Sequence, residues 1–196
     1  MNRFAHILLV ALALAVAGPS PLRAQGTSTP ALLAADPALS GPYASTVLLV
    51  MPSEDGSHLG FVLNRPTATR VSAVLPEVPE ATKVVSPVYF GWPFFRGVLS
   101  ALVRTPLPPT EDALQVMPDL YVVHGRDEAA QVAERVPSRA RFYVGLVVWQ
   151  RGELQSELEA GAWIVAEPDV ELVIGGSADT LWERVLERVQ TLVALR

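Results

Sequence analysis

Arg141-Phe142-Tyr143-Val144-Gly145-Leu146-Val147-Val148-Trp149 is the longest apolar run in the chain beyond its first two dozen residues, and its reading decides the fold. Apolar side chains at nearly every position, most of them aromatic or β-branched, predict a central strand covered on both faces. Such a strand needs packing layers above and below it. The flanking sequence supplies them. Residues 152–160 carry Leu154 and Leu158 four apart and stop at Gly161, which predicts a short amphipathic helix; residues 162–166 return as a strand before Pro168. Upstream, residues 126–136 predict a helix opened by Asp127 and Glu128 and stopped by Pro137.

Further out, the same periodicities continue. Thr180 and Glu183 form a capping-box pattern, followed by Leu181, Val185, Val189 and Leu192 at helical spacing. Short β-branched runs at 46–51, 59–63, 88–90, 98–103 and 120–123, bounded by Pro, Gly or Asp, predict strands. The first two are joined by the turn Pro52-Ser53-Glu54-Asp55-Gly56. Strands interleaved with helices place the chain in the α/β class, as a single domain with a mixed β-sheet.

The chain opens differently. Met1-Asn2-Arg3 precedes eleven apolar residues, Ile7 to Ala17, then Gly18, Pro19 and Pro21, then Leu22-Arg23-Ala24 before Gln25. A basic start, a short apolar helix, a breaker and a small residue at the cut are the grammar of a secretory signal peptide. Eleven residues are too few to cross a bilayer, which takes roughly 20. The expectation is a signal over 1–24, a flexible mature N-terminus over 25–31 and a folded domain over 32–196, exported to the periplasm with no membrane span after cleavage. With no cysteine anywhere, neither a lipoprotein anchor nor a disulfide is available. Loss of Arg3 and Arg23 with the signal takes the net charge from −5 to about −7. Nucleic acid is therefore not an expected partner, because phosphate binding rests on clustered Lys and Arg.

Chemistry-bearing motifs are sparse. Only His58 and His124 follow the signal, far apart in sequence, so no metal-binding spacing arises. Ser57 beside His58 reads as a chance dipeptide and not a dyad, since adjacent side chains rarely converge, and Gly175-Gly176-Ser177 is not a nucleophile elbow. His124 ends an apolar strand and reads as hydrogen-bonded structure. Glu153 and Glu157 share a helix face, as a solvated acidic edge or a carboxylate pair. No phosphate-binding glycine loop occurs, and no cofactor is expected.

Three segments are more particular: Gly60-Phe61-Val62-Leu63-Asn64-Arg65-Pro66, Val88-Tyr89-Phe90-Gly91-Trp92-Pro93, and the stretch from Gly145 through Trp149, Gly152, Leu154 and Glu157 to Gly161-Ala162-Trp163. In this order, with Leu32-Leu33-Ala34-Ala35-Asp36-Pro37 before them and Leu181-Trp182-Glu183 after, the chain resembles the YqgE/AlgH family of bacterial proteins, a family without an assigned biochemical activity. The resemblance implies an α/β fold whose mixed sheet is partly rolled, with helices packed around it. Departures from the family pattern fall at turns: Gly91-Trp92-Pro93 stands where the family has two glycines before the proline, and Gly145-Leu146-Val147-Val148-Trp149 replaces a glycine-tyrosine-x-glycine-tryptophan run.

The candidate ligand-binding residues are Asn64, Arg65, Tyr89, Trp92, Trp149 and Glu157; no catalytic or metal set is assigned. Asn64 and Arg65 end a strand before Pro66, which is expected to stop sheet pairing, so they can face a ligand or serve a turn. The expected function is a noncatalytic module that binds a small molecule or a protein. The alternatives are a hydrolase using a Glu carboxylate with Arg65 holding an anion, and a regulatory role of the kind suggested within the family.

Overall fold

The computed structural model describes residues 27–91 and 97–194. In chain order the first part forms β1 (Ala31–Ala35), β2 (Val47–Pro52), β3 (His58–Val62), β4 (Pro66–Arg70), the single-turn helix α1 (Val71–Val74), β5 (Pro87–Phe90) and β6 (Leu99–Arg104). The second forms β7 (Leu114–Met117), β8 (Leu120–His124), α2 (Arg126–Arg135), β9 (Ala140–Val144), β10 (Val147–Trp149), α3 (Glu153–Glu159), β11 (Trp163–Ala166), α4 (Val170–Val173) and α5 (Leu181–Ala194). The expected signal at 1–24 and the candidate Trp92 lie outside the described residues.

The α/β class and the mixed pairing hold, with the strands divided between two sheets. One is antiparallel throughout, in the order β10-β3-β2-β1-β11; the other runs β4-β5-β9-β6-β8-β7, with β5 and β9 parallel. The Arg141–Trp149 run, expected as one strand, is two. Its first half is β9, in the interior of the six-stranded sheet. Gly145 then turns at φ 79°, a conformation glycine adopts without steric cost, and the second half becomes β10, an edge of the five-stranded sheet. Coverage on both faces is as expected for β9; the run is apolar because it passes from one buried layer to another.

Alternation along the strands builds three cores. Leu32, Ala34, Val47, Leu49 and Phe61 point from the five-stranded sheet toward Leu102, Leu120, Val122 and Tyr143 of the other, so the two sheets face each other across one core. The helix α5 borders that core with Leu181 and Val185 beside β1 and β11. On the outer face of the six-stranded sheet, Ala129, Val132 and Ala133 of α2 pack with Val71, Ala101, Val103 and Phe142. On the outer face of the other, Leu33, Leu48, Val50 and Val147 pack with Leu154 of α3. Each fully buried leucine or phenylalanine stabilises by roughly 1.5–3 kcal/mol. Exposed ion pairs such as Arg126–Glu77 are screened by solvent and add little, so the layers hold the fold.

Two further differences have local causes. Pro66 does not end pairing: it opens β4 opposite Tyr89, on the outermost strand of its sheet, where a missing N–H costs no ladder bond. The turn α4 is capped by Asp169, whose side chain accepts the Glu171 N–H. No helix among the described residues is long and apolar enough to cross a membrane.

Candidate functional site

The chain crosses between the sheets twice, and four of the candidate residues, Asn64, Arg65, Trp149 and Glu157, sit at or near those crossings. At the first, between β3 and β4, Asn64 Oδ1 accepts the Val47 N–H at 2.9 Å while its Nδ2 donates to the Ser45 carbonyl at 2.8 Å. Arg65 donates to the Ala44 carbonyl at 2.8 Å and to Thr46 Oγ1 at 3.4 Å. Both side chains staple the crossing to the start of β2 and the residues just before it, and Arg65 takes one backbone carbonyl and one hydroxyl rather than a carboxylate.

Near the second crossing, Trp149 and Trp163 donate their indole N–H groups to the same oxygen, Glu157 Oε2, at 3.0 and 2.7 Å. Glu157 is thus a half-buried acceptor, not a solvated acidic edge. Glu153 accepts the Gln150 N–H at 2.7 Å at the start of α3. Burial, and secondarily the Glu157 carboxylate, raises the pKa of Tyr43.

Tyr89 belongs to a third place. It is buried between the sheets beneath Arg141, whose guanidinium carbon lies 4.6 Å from the ring centre. Arg141 is itself buried and, among the described residues, pairs with no carboxylate. It donates to the carbonyls of Val173 at 3.0 Å and Ile174 at 2.8 Å, at the C-terminal end of α4. The Tyr143 hydroxyl beside it is fully enclosed, and burial pushes its pKa far up. The structure therefore distributes Asn64 and Arg65, Tyr89, and Trp149 with Glu157 among three locations.

A concavity forms elsewhere, at one end of the space between the sheets. Met51 and Leu59 of the β2–β3 hairpin face Leu114 and Val116 of β7 across a cleft of about 320 Å³, with Pro30 at one side and His124 in the wall. The size falls within the range of small-molecule sites. Ser53 and Gln115 also line it, and both are exposed. His124 is half-buried and stacks on Phe61, ring centres 6.0 Å apart. Its Nδ1 lies 2.9 Å from Ser100 Oγ, and burial holds its pKa below the ordinary 6.5. A wider cleft of about 570 Å³ near Arg104, Ser138 and Arg139 is more open, and Arg104 there is paired with Glu171.

With the fold and cleft in place, the AlgH-like family model, DUF179, matches residues 32–194. The chain belongs to the AlgH-like family. This AlgH-like chain is 28% identical over 159 residues to a UPF0301 protein of Chlorobium luteolum, covering 79% of this chain and 82% of that protein. A UPF0301 protein of Rhodococcus opacus is 30% identical over 159 residues, covering 78% of each. Among solved structures, AlgH from Pseudomonas aeruginosa superposes with a TM-score of 0.68 at 18% identity, covering 93% of this chain and 98% of that one. A crystal structure of a Corynebacterium diphtheriae protein gives 0.68 at 21% identity, covering 82% and 86%.

The cleft of this AlgH-like domain was not visible in the sequence as a site, although one signal was there. The expectation that His124 is hydrogen-bonded structure holds, through Ser100. Ser100 interrupts an apolar strand and His124 ends another, and antiparallel register pairs them directly, Ser100 opposite His124. The adjacent Ser57 and His58 do not converge: Ser57 Oγ donates to Asp55 at 2.6 Å and the His58 ring contacts the Thr27 carbonyl at 3.3 Å.

Proposed function

We propose that this AlgH-like protein is an exported, noncatalytic module that binds a small molecule in the cleft between the β2–β3 hairpin and β7. The observation that carries the reading is the wall itself: apolar side chains from both sheets surround His124, supported from behind by Ser100. Small-molecule sites combine apolar walls with a few placed polar groups, and this cleft has that composition. Export rests on the basic, apolar and small-residue succession of residues 1–24. No comparable observation favours the hydrolase alternative, because Glu157 already receives two indole N–H groups and Arg65 is engaged by the Ala44 carbonyl and the Thr46 hydroxyl.

Two measurements test the reading. Binding is followed by thermal shift with an apolar fluorescent probe, comparing the native protein with Leu59→Lys, which places a charge in the wall. Probe binding that survives Leu59→Lys unchanged rejects the cleft. For export, fractionation and N-terminal sequencing should find a periplasmic chain beginning at Gln25; a cytoplasmic chain retaining residues 1–24 rejects that part.

A further inference from the structure

Resting on the cleft as the binding site, we infer that it selects apolar molecules bearing a carbonyl or carboxylate oxygen, which accepts a hydrogen bond from His124 Nε2. The argument starts with a buried hydroxyl. Ser100 is fully buried, and its Oγ is within 2.9 Å of one group, His124 Nδ1. A hydroxyl can donate one proton and a neutral imidazole has one donor and one acceptor nitrogen. If Nδ1 carried the proton, Ser100 would accept it, and its own hydroxyl hydrogen would have no acceptor among the described residues. Leaving a buried donor unmade is costly, so Ser100 donates, Nδ1 accepts, and the ring proton sits on Nε2.

Nε2 has no protein partner among the described residues, and His124 is one of the residues that line the cleft. The imidazole plane is held by Phe61 at an interplanar angle of 17°, so the donor has a fixed direction. Met51, Leu59, Leu114 and Val116 surround it with surface that favours an aliphatic tail. A ligand that offers an acceptor at the head and hydrocarbon behind satisfies both. An ammonium head meets a donor it cannot accept from. Ser100 acts as a positioning residue, through the tautomer of His124.

The probes are octanoate, 2-octanone and octylammonium, titrated against the purified protein by calorimetry and by imidazole 15N NMR. Octanoate and 2-octanone are expected to bind on the order of tenfold more tightly than octylammonium, a difference matching one hydrogen bond. The octanoate and ketone arms distinguish a carboxylate from a neutral carbonyl. His124→Leu should remove the preference while keeping tail binding. Ser100→Ala should shift the tautomer signal away from protonated Nε2 and reduce the preference. Equal binding of all three probes, or a preference retained in His124→Leu, overturns the inference and leaves the cleft standing. Failure of all three to perturb His124 overturns the inference and the cleft together.

Discussion

Gly91 lies directly against the backbone of Gly145: a Cβ built on Gly91 would fall 2.0 Å from the Gly145 carbonyl oxygen. The contact occurs where β5 and β9 end side by side and the Gly91 N–H donates to the Val144 carbonyl at 2.9 Å. Because the opposing atom is backbone, nothing can rotate away. Gly91→Ala is expected to destabilise by about 2–3 kcal/mol or more, measured as a lowered urea midpoint. A midpoint equal to that of the native protein would show that the two segments do not meet this closely.

Glu157 should be as important to stability as a core residue. Glu157→Ala leaves Trp149 and Trp163, both buried, with indole donors and no acceptor, and should cost roughly 2–4 kcal/mol. Glu157→Gln keeps an oxygen in place and should cost less than half as much. Equal losses from the two substitutions would contradict a role as shared acceptor.

Stability should depend on His124 in mildly acidic solution. Burial lowers its pKa in the folded chain, so below the ordinary value of 6.5 the unfolded chain binds the proton more tightly. Stability is therefore complete above that value and declines as pH falls through it, until the folded-state pKa is passed. Denaturation midpoints measured between about pH 7.5 and 5.5 should show the decline, and His124→Phe should flatten it. An unchanged slope in the variant would assign the effect to other groups.

Asp169 should contribute through the start of α4. Its carboxylate accepts the Glu171 N–H, and with Arg188 at 3.2 Å this holds its pKa below the usual 3.8. That stabilisation is present above pH 3.8 and is lost as pH falls through the lower folded-state value. Asp169→Ala should cost about 1 kcal/mol at neutral pH, with Asp169→Ser recovering much of it as an alternative cap. If Ser and Ala variants unfold at the same midpoint, the cap is not the source.

Much of the secondary structure follows from local pattern, and particular segments show where pattern stops. α2 is marked by its acidic opening and the Pro137 stop, α5 by helical spacing of apolar residues, and β2, β6 and β8 by β-branched runs between breakers; the structure finds each near its expected position. β4, Pro-Thr-Ala-Thr-Arg, is weakly apolar and β7, Leu-Gln-Val-Met, is only four residues long; they lie at opposite edges of their sheet, so their sequences give little signal. Arg141 looks like the polar end of a strand, yet it is buried under backbone carbonyls that belong to a segment more than thirty residues away.

By itself the sequence determined the class, most element types, the absence of cysteine chemistry and the family, because these depend on residue types and spacings along the chain. Tertiary structure alone decided that the Arg141–Trp149 run serves two sheets, since Gly145 permits the turn but neighbouring strands choose it. It also decided that Asn64, Arg65 and Glu157 are held within the scaffold and that Ser100 meets His124 beside a cleft. Hydrogen-bond partners and concave surfaces are made by residues distant in sequence, and their meeting is fixed only when the sheets close on one another.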